Sequence, residues 1–330
     1  MDVTMGQFRL FSKLVVRPIL SFAIPLPRLF GWSLNTISRI EYHAFKKECG
    51  DRATMVPEVM AGHQVYWFHP KDVTKPTKKV LLYIHGGGFT SCSYKSYAKT
   101  MSILAEYTGH SIAFVEYDLA PEAKFPFALN QIQEVYEHLL DHGYQSQDIQ
   151  WGGDSAGGNL ALALLVKCRD EGVRLPKSVF LESPFTDFTF SGDSYVNNYK
   201  SEVILPFWPP SRELSAYWMK KLYLGDTRSD HPLVSPLFAD LSGLPPLQIS
   251  YSESEQLRDD ALRLYSKAKS QGVAVKLVPF ANTPHANFVF AHRYKEAMEA
   301  LQAHGNFVLE NFRVRRSMGK RQVSVSEATL

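Results

Sequence analysis

The sequence predicts an α/β fold, a mostly parallel β-sheet with helices on both faces. Three observations carry that expectation. Short runs rich in β-branched and aromatic residues alternate with longer segments of helical periodicity. Glycine-rich or polar stretches, "HGGG", "GDSAGG", "SYSESE" and "NTPH", fall at the carboxyl ends of the β-rich runs, where open α/β sheets place their ligand sites. No repeat of fixed period is present, which sets solenoids and propellers aside.

The strands are expected in order. Residues 79–88, "KVLLYIHGGG", form an apolar run that passes into glycines, and 110–121, "HSIAFVEYDLAP", form a second run stopped by proline. "DIQWGGDS" at 148–155, "SVFLESPF" at 178–185, "PLQISYSE" at 246–253 and "VKLVPF" at 275–280 complete the set. Helical patterns at 97–107, 127–142, 159–171 and 259–271 lie between them, long enough to serve as crossovers between parallel strands.

Two regions break the alternation. Residues 1–45 and an insertion at about 188–225 are rich in aromatics and proline, the second holding Tyr195, Tyr199, Phe207, Trp208, Tyr217, Trp218 and Tyr223. Together they are expected to form a cap over the strand ends of a catalytic domain spanning 46–312. Residues 313–330 read as a polar, basic, disordered tail.

Composition narrows the class. Hydrophobic residues at 45% and charged residues at 21% suit a soluble globular protein. The net charge of +3, from 36 basic against 33 acidic residues, rests partly in the tail and gives no nucleic-acid surface. Cys49, Cys92 and Cys168 have neither disulfide arithmetic nor metal-ligand spacing, so no metal site is expected and a reducing, cytoplasmic setting is. Residues 8–34 are apolar, but Lys13, Arg17 and Arg28 and three prolines interrupt them, so no stretch reaches the roughly 20 residues of a spanning helix. Asp2 and the missing small-residue cleavage site argue against a secretory signal. Phe8, Phe11, Leu14 and Val15 share a helical face that suits packing on the protein or, as the second choice, peripheral contact with a membrane.

The chemistry centres on Ser155. Gly153-Asp154-Ser155-Ala156-Gly157 matches the G-x-S-x-G elbow, in which a serine stands on a sharp strand-to-helix turn that leaves no room for side chains two residues to either side. A glycine-rich phosphate loop is the competing local reading, but the preceding strand and the following "NLALALLVK" supply the elbow's context. The glycines of "HGGGF" let backbone N–H groups approach a ligand oxygen, and the amide of Ala156 is a natural further donor to an oxyanion.

A serine hydroxyl needs a histidine to take its proton and an acid to orient that histidine, in the chain order serine, acid, histidine. His285, on the loop "ANTPHANF" after the last β-rich run, is the best base. His231 precedes a proline inside the expected cap, while His292 and His304 read as helix-surface residues. For the acid, "SYSESEQLRDD" offers Glu253, Glu255, Asp259 and Asp260. The two aspartates suit the first turn of the next helix, and spacing does not choose between the glutamates.

Jointly, "HGGGF", "YDLAPEAKFP", "GDSAGG" and "SPLFADLSGLPPL", with that residue order, resemble the hormone-sensitive lipase-like branch of the α/β-hydrolases over roughly residues 80–290. The resemblance implies an α/β-hydrolase fold and a catalytic set of Ser155, Glu255 and His285, since the family's acid stands just before an x-L-x-D-[DE] pattern, here "QLRDD". It implies oxyanion donors at Gly87, Gly88 and Ala156, a cap, no cofactor, and dimers among the relatives. Two departures stand out. Asp118 replaces the family's usual arginine, and Phe288 follows His285 by three residues where an aromatic often follows by two. The expected activity is hydrolysis of small-molecule carboxylic esters through an acyl-enzyme. The aromatic insertion suggests an apolar or bulky alcohol, sterol-like or from secondary metabolism. Acyl transfer or elimination on the same residues, or a ligand receptor without turnover, are the alternatives; the presence of His285 argues against the receptor.

Overall fold

The structure is a computed structural model, and it describes residues 4, 6, 7, 52–71, 78–205 and 211–313. The expectations for the segment 1–45, including membrane contact through 8–34, for Cys49, for Phe207 and Trp208, and for the tail from 314 onward lie outside the described residues.

Eight strands form one sheet in the order β1-β2-β4-β3-β5-β6-β7-β8. They are β1 Ala53–Met60, β2 His63–Pro70, β3 Val80–Ile84, β4 Ser111–Glu116, β5 Ile149–Asp154, β6 Val179–Glu182, β7 Leu247–Ser252 and β8 Val275–Phe280. The pairs from β4 through β3 to β8 are parallel, whereas β1–β2 and β2–β4 are antiparallel. Every residue of β3, β5, β6 and β7 is buried, as expected where both faces of a parallel sheet are covered.

The β1–β2 hairpin was not among the expected strands. Its turn residues Ala61 (φ 49°) and Gly62 (φ 85°) are both left-handed, the backbone of a two-residue primed turn, but Ala-Gly lacks the Asn-Gly or Asp-Gly signal. Pro57 also lowers the strand reading, and β1 tolerates it because it is an edge strand.

The helices are α1 Tyr94–Thr108, α2 Phe127–Asp141, α3 Ser155–Asp170, the single turn α4 Ser194–Asn197, α5 Arg212–Met219, α6 Arg258–Ser270 and α7 Lys295–Arg313. Ser93 caps α1 by accepting the Lys95 amide, and Gly109 (φ 66°) ends it with its N–H on the Ala105 carbonyl. On one face of the sheet, side chains of α2, α3 and α6 such as Ile132, Leu164 and Leu264 join the larger core. On the other, α1 and α7 pack Met101, Leu104, Leu301 and Val308 against Phe68, Phe114 and Phe180. The central helix α3 is apolar all round, with residues 160–166 buried, because it lies between the sheet and the elements around it.

The insertion after β6 packs onto this frame. Tyr223 stacks on Phe89 at 3.9 Å between ring centres and accepts the Phe125 amide on its carbonyl at 2.9 Å. Tyr195 and Tyr223 lie in the core, whereas Tyr217 is 49% exposed. No helix among the described residues is long and apolar enough to cross a membrane.

Candidate active site

The register brings the functional loops to one edge of the sheet. Ile84 at the end of β3 aligns with Gly153 of β5, and Asp154 of β5 with Glu182 of β6. Ser252 at the end of β7 aligns with Phe280 of β8. The loops that follow these strands carry Gly87, Ser155, Glu255 and His285, so four distant stretches of sequence converge.

Ser155 opens α3 four residues earlier than the helical pattern suggests. Its φ of 51° is left-handed, which costs a non-glycine residue about 1–3 kcal/mol and persists only where the surroundings enforce it. Here the enforcement is packing: a Cβ on Gly157 would lie 2.1 Å from the Ile84 carbonyl oxygen, and one on Gly153 would lie 2.6 Å from that of Gly157. The Ser155 carbonyl is held by the Phe185 amide at 3.1 Å.

The "HGGG" loop is fixed from below by Asp154. Its buried carboxylate accepts the Tyr83 hydroxyl at 2.5 Å, the Tyr97 hydroxyl at 2.8 Å and the Gly86 N–H at 3.0 Å. Burial raises its pKa to about 6 against the pull of those hydrogen bonds. Beyond Gly86 the chain turns at Gly87 (φ 110°), where a Cβ would sit 2.2 Å from the Ser91 carbonyl oxygen. Gly88 is also left-handed, at φ 62°. The Gly87 carbonyl accepts the Thr90 and Ser91 amides and the Ser91 hydroxyl. Neither the Gly87 nor the Gly88 N–H donates to another described residue. The Ala156 amide belongs to the first turn of α3, where intrahelical acceptors are absent. His85 is buried between Phe114 and Tyr117, its ring kept neutral by burial with a pKa near 4 and its Nδ1 on the Gly86 carbonyl at 2.7 Å.

His285 and Glu255 meet in the interior, 3% and 1% exposed. His285 Nδ1 lies 2.6 Å from Glu255 Oε2, while Oε1 accepts the Ser252 amide at 2.9 Å. Burial alone would lower the imidazole pKa, but the hydrogen bond and charge of Glu255, with the charges of Glu202 and Asp154, hold it above the ordinary value. His285 Nε2 is buried without a hydrogen-bond partner among the described residues. An imidazole fixed in this tautomer by a carboxylate, with its outer nitrogen uncommitted, can take a proton from a nearby hydroxyl.

The loop is held at both sides of the ring. Ala286 (φ 50°) donates its N–H to the Ser183 hydroxyl at 3.1 Å, and the Thr283 carbonyl accepts the hydroxyls of Ser252 at 2.5 Å and Ser254 at 3.0 Å.

The remaining candidates do other work. Glu253 is exposed. Asp259 accepts the Ser194 amide at 2.9 Å, and Asp260 accepts the amides of Thr186 and Asp187 and the Tyr195 hydroxyl, so both hold the insertion at the start of α6. His231 is exposed. His292 and His304 are not the helix-surface residues their pattern suggests. His292 lies in a turn before α7, largely buried, its pKa lowered to about 3 by burial and by the charges of Arg293 and Lys99. His304 is fully buried, with Nε2 2.9 Å from Glu182 and 3.2 Å from Ser250, Nδ1 3.0 Å from Gln248, and its ring stacked on Phe180. The periodicity of α7 is real, but the face carrying His304 is turned to the sheet.

The departures are local. Asp118 exchanges hydrogen bonds with Gln131 near the surface. Phe288 is buried in the aromatic cluster with Tyr83, Phe180 and His304, so the residue three beyond His285 anchors the loop. The sequence reading passed over Asp154, Ser183 and Glu182 as working groups. A carboxylate inside each of two runs expected as strands was the available signal for Asp154 and Glu182; Ser183 carries none. Among the described residues no group of three or more His, Cys, Asp or Glu side chains is arranged to hold a metal ion, and Cys92 and Cys168 are free.

Comparison with known proteins gives a consistent picture. A family model described as the alpha/beta hydrolase fold matches residues 81–289. An esterase of Acinetobacter venetianus is 34% identical over 223 residues, 68% of this chain and 72% of that protein. An acetyl-hydrolase of Streptomyces hygroscopicus is 30% identical over 82% of this chain and 88% of its own length. Among solved structures, an esterase from the bacterial hormone-sensitive lipase family superposes with a TM-score of 0.74 at 30% identity, covering 89% of this chain and 98% of that one. EstE5, in a crystal soaked with p-nitrophenyl butyrate, superposes with a TM-score of 0.73 at 28% identity, over 84% of this chain and 98% of its own.

Proposed function

The chain belongs to the α/β-hydrolase fold family, in its hormone-sensitive lipase-like esterase branch, and from that premise we propose that it hydrolyses carboxylic esters through an acyl-enzyme on Ser155. The observation that carries the reading is the buried Glu255–His285 pair at 2.6 Å with the outer imidazole nitrogen uncommitted. His285 takes the Ser155 proton as the hydroxyl oxygen bonds to the ester carbonyl carbon, and Glu255 stabilises the imidazolium that results. The N–H groups of Gly87, Gly88 and Ala156 receive the negative charge on the carbonyl oxygen, each contributing about 3–4 kcal/mol to the transition state. The tetrahedral intermediate collapses with the proton of His285 passing to the leaving alcohol. Water then attacks the acyl-serine by the same route in reverse, releasing the acid.

The relatives' names, an acetyl-hydrolase among them, favour a short acyl group. The alcohol is apolar in this reading, with residues 1–45 and the insertion after β6 as the cap over it. The aromatic argument for a bulky alcohol is narrowed by burial: Tyr195 and Tyr223 fill the core, which leaves Tyr217 and Trp218 among the described aromatics of the insertion that the sequence singled out, besides the half-buried Tyr199, to meet it.

The test is p-nitrophenyl ester hydrolysis across acyl lengths from acetate to palmitate, for the wild type beside Ser155→Ala. The expected result is turnover that is strongest on short chains and absent in the variant. Turnover that survives Ser155→Ala, or a folded wild type silent on every ester, would overturn the proposal.

A further inference from the structure

Glu202 lies in the insertion after β6, 1% exposed, and each oxygen of its carboxylate faces backbone donors. Oε1 accepts the N–H groups of Val203 and Ile204, both at 2.7 Å, and of Leu205 at 3.1 Å. Oε2 accepts the N–H of Gln256, the residue after Glu255, at 3.2 Å. Four converging N–H donors call for a group that only accepts, which among side chains of this length means an ionised carboxylate.

The same segment grips the Glu255 turn at several further points. Asn198 Nδ2 donates to the carbonyls of Glu253 at 3.1 Å and Glu255 at 2.8 Å. Ser201 donates to the Ser254 carbonyl at 2.9 Å, and Gln256 Nε2 donates to the Tyr195 carbonyl at 2.7 Å. Within this grip Glu202 alone brings charge to bear on the pair.

We propose that Glu202 is a positioning residue of the site: it fixes the turn carrying Glu255 to the insertion and holds a second negative charge behind the Glu255–His285 pair. The inference rests on the reading of His285 as the general base. His285 faces three carboxylates, Glu255 in contact and Glu202 and Asp154 farther off, and all three favour its protonated form. Positive charge develops on the imidazole as Ser155 gives up its proton, so a fixed carboxylate behind it stabilises that step without touching substrate.

Glu202→Gln keeps the shape, removes the charge and turns an N–H₂ toward backbone donors. The acid limb of the kcat/KM profile is expected to move down by roughly half to one pH unit, because His285 then protonates at lower pH. Plateau kcat is expected to fall about tenfold as the Glu255 turn loosens. Glu202→Asp keeps the charge but cannot span both sets of donors. Its acid limb should stay within about 0.3 unit of wild type while kcat falls, and it carries the test alone if Glu202→Gln does not fold. Titration of the His285 imidazole by NMR, its resonance identified with His285→Ala, reads the same charge without any substrate. An unmoved limb and an unmoved titration in Glu202→Gln, or wild-type kcat in Glu202→Asp, would overturn the proposal. A silent wild type would instead sink the esterase reading, and the imidazole titration would still decide the role of Glu202.

Discussion

In the proposed mechanism Glu255 is where one side chain sets both rate and pH dependence. His285 accepts a proton only when neutral, and Glu255 holds its pKa above the ordinary value of 6.5 against burial. kcat/KM is therefore expected to fall as pH drops through that raised pKa. Glu255→Gln removes the hydrogen bond and the charge, so its acid limb moves to lower pH while kcat falls by about three to four orders of magnitude. Glu253→Gln, at an exposed position, should leave both unchanged. A pH–rate series on the two variants checks this, and greater damage at Glu253 or Asp259 than at Glu255 would reassign the acid. From the residues alone both glutamates stayed open, because "SYSESE" does not reveal which carboxylate turns inward. The family pattern chose Glu255, whose Oε2 lies 2.6 Å from His285 Nδ1.

Among the elements, the union of β3, β5 and α3 sets the geometry around Ser155. Asp154 at the end of β5 gathers the hydroxyls of Tyr83 and Tyr97 and the Gly86 N–H, so it ties the "HGGG" loop to the elbow. Asp154→Asn would direct an N–H₂ at a donor in that cluster. The expected cost is about 1–3 kcal/mol of stability, read by urea unfolding, together with a drop in kcat larger than the change in KM. A variant of wild-type stability and kcat would remove Asp154 from this role. The elbow was legible because a strand, a G-x-S-x-G turn and a helix are contiguous. The start of α3 was read late because Gly157 and Gly158 weaken the local helical pattern, whereas packing against β3 requires glycine at 157.

At the scale of the whole molecule, α7 is bound to the sheet by the buried Glu182–His304 pair, which Ser250 and Gln248 join. The cluster lies one residue from Ser183, whose hydroxyl holds the His285 loop through Ala286. Leaving one partner of a buried hydrogen-bonded pair unsatisfied costs more than exchanging both for apolar groups of similar shape. Glu182→Gln should lose about 1–3 kcal/mol in urea unfolding, and the double variant Glu182→Leu with His304→Phe should recover most of it. Equal losses in both would mean that the pair does not act as a unit.

By itself the sequence determined the α/β class, the six strands from β3 to β8, the serine on its elbow and the glycines of the loop facing it. Those features are written in contiguous residues: an apolar run, a turn that only small residues fit, a helical period. Tertiary structure decided what depends on distant segments meeting. It buried His304 against Glu182, gave Asp154 the loop after β3 to hold, and added the β1–β2 hairpin to the edge. It also set Glu202 against the Glu255 turn. A polar side chain that will be buried looks in sequence like one that will be solvated, and only the partners that satisfy it in the fold, supplied by other elements, tell the two apart.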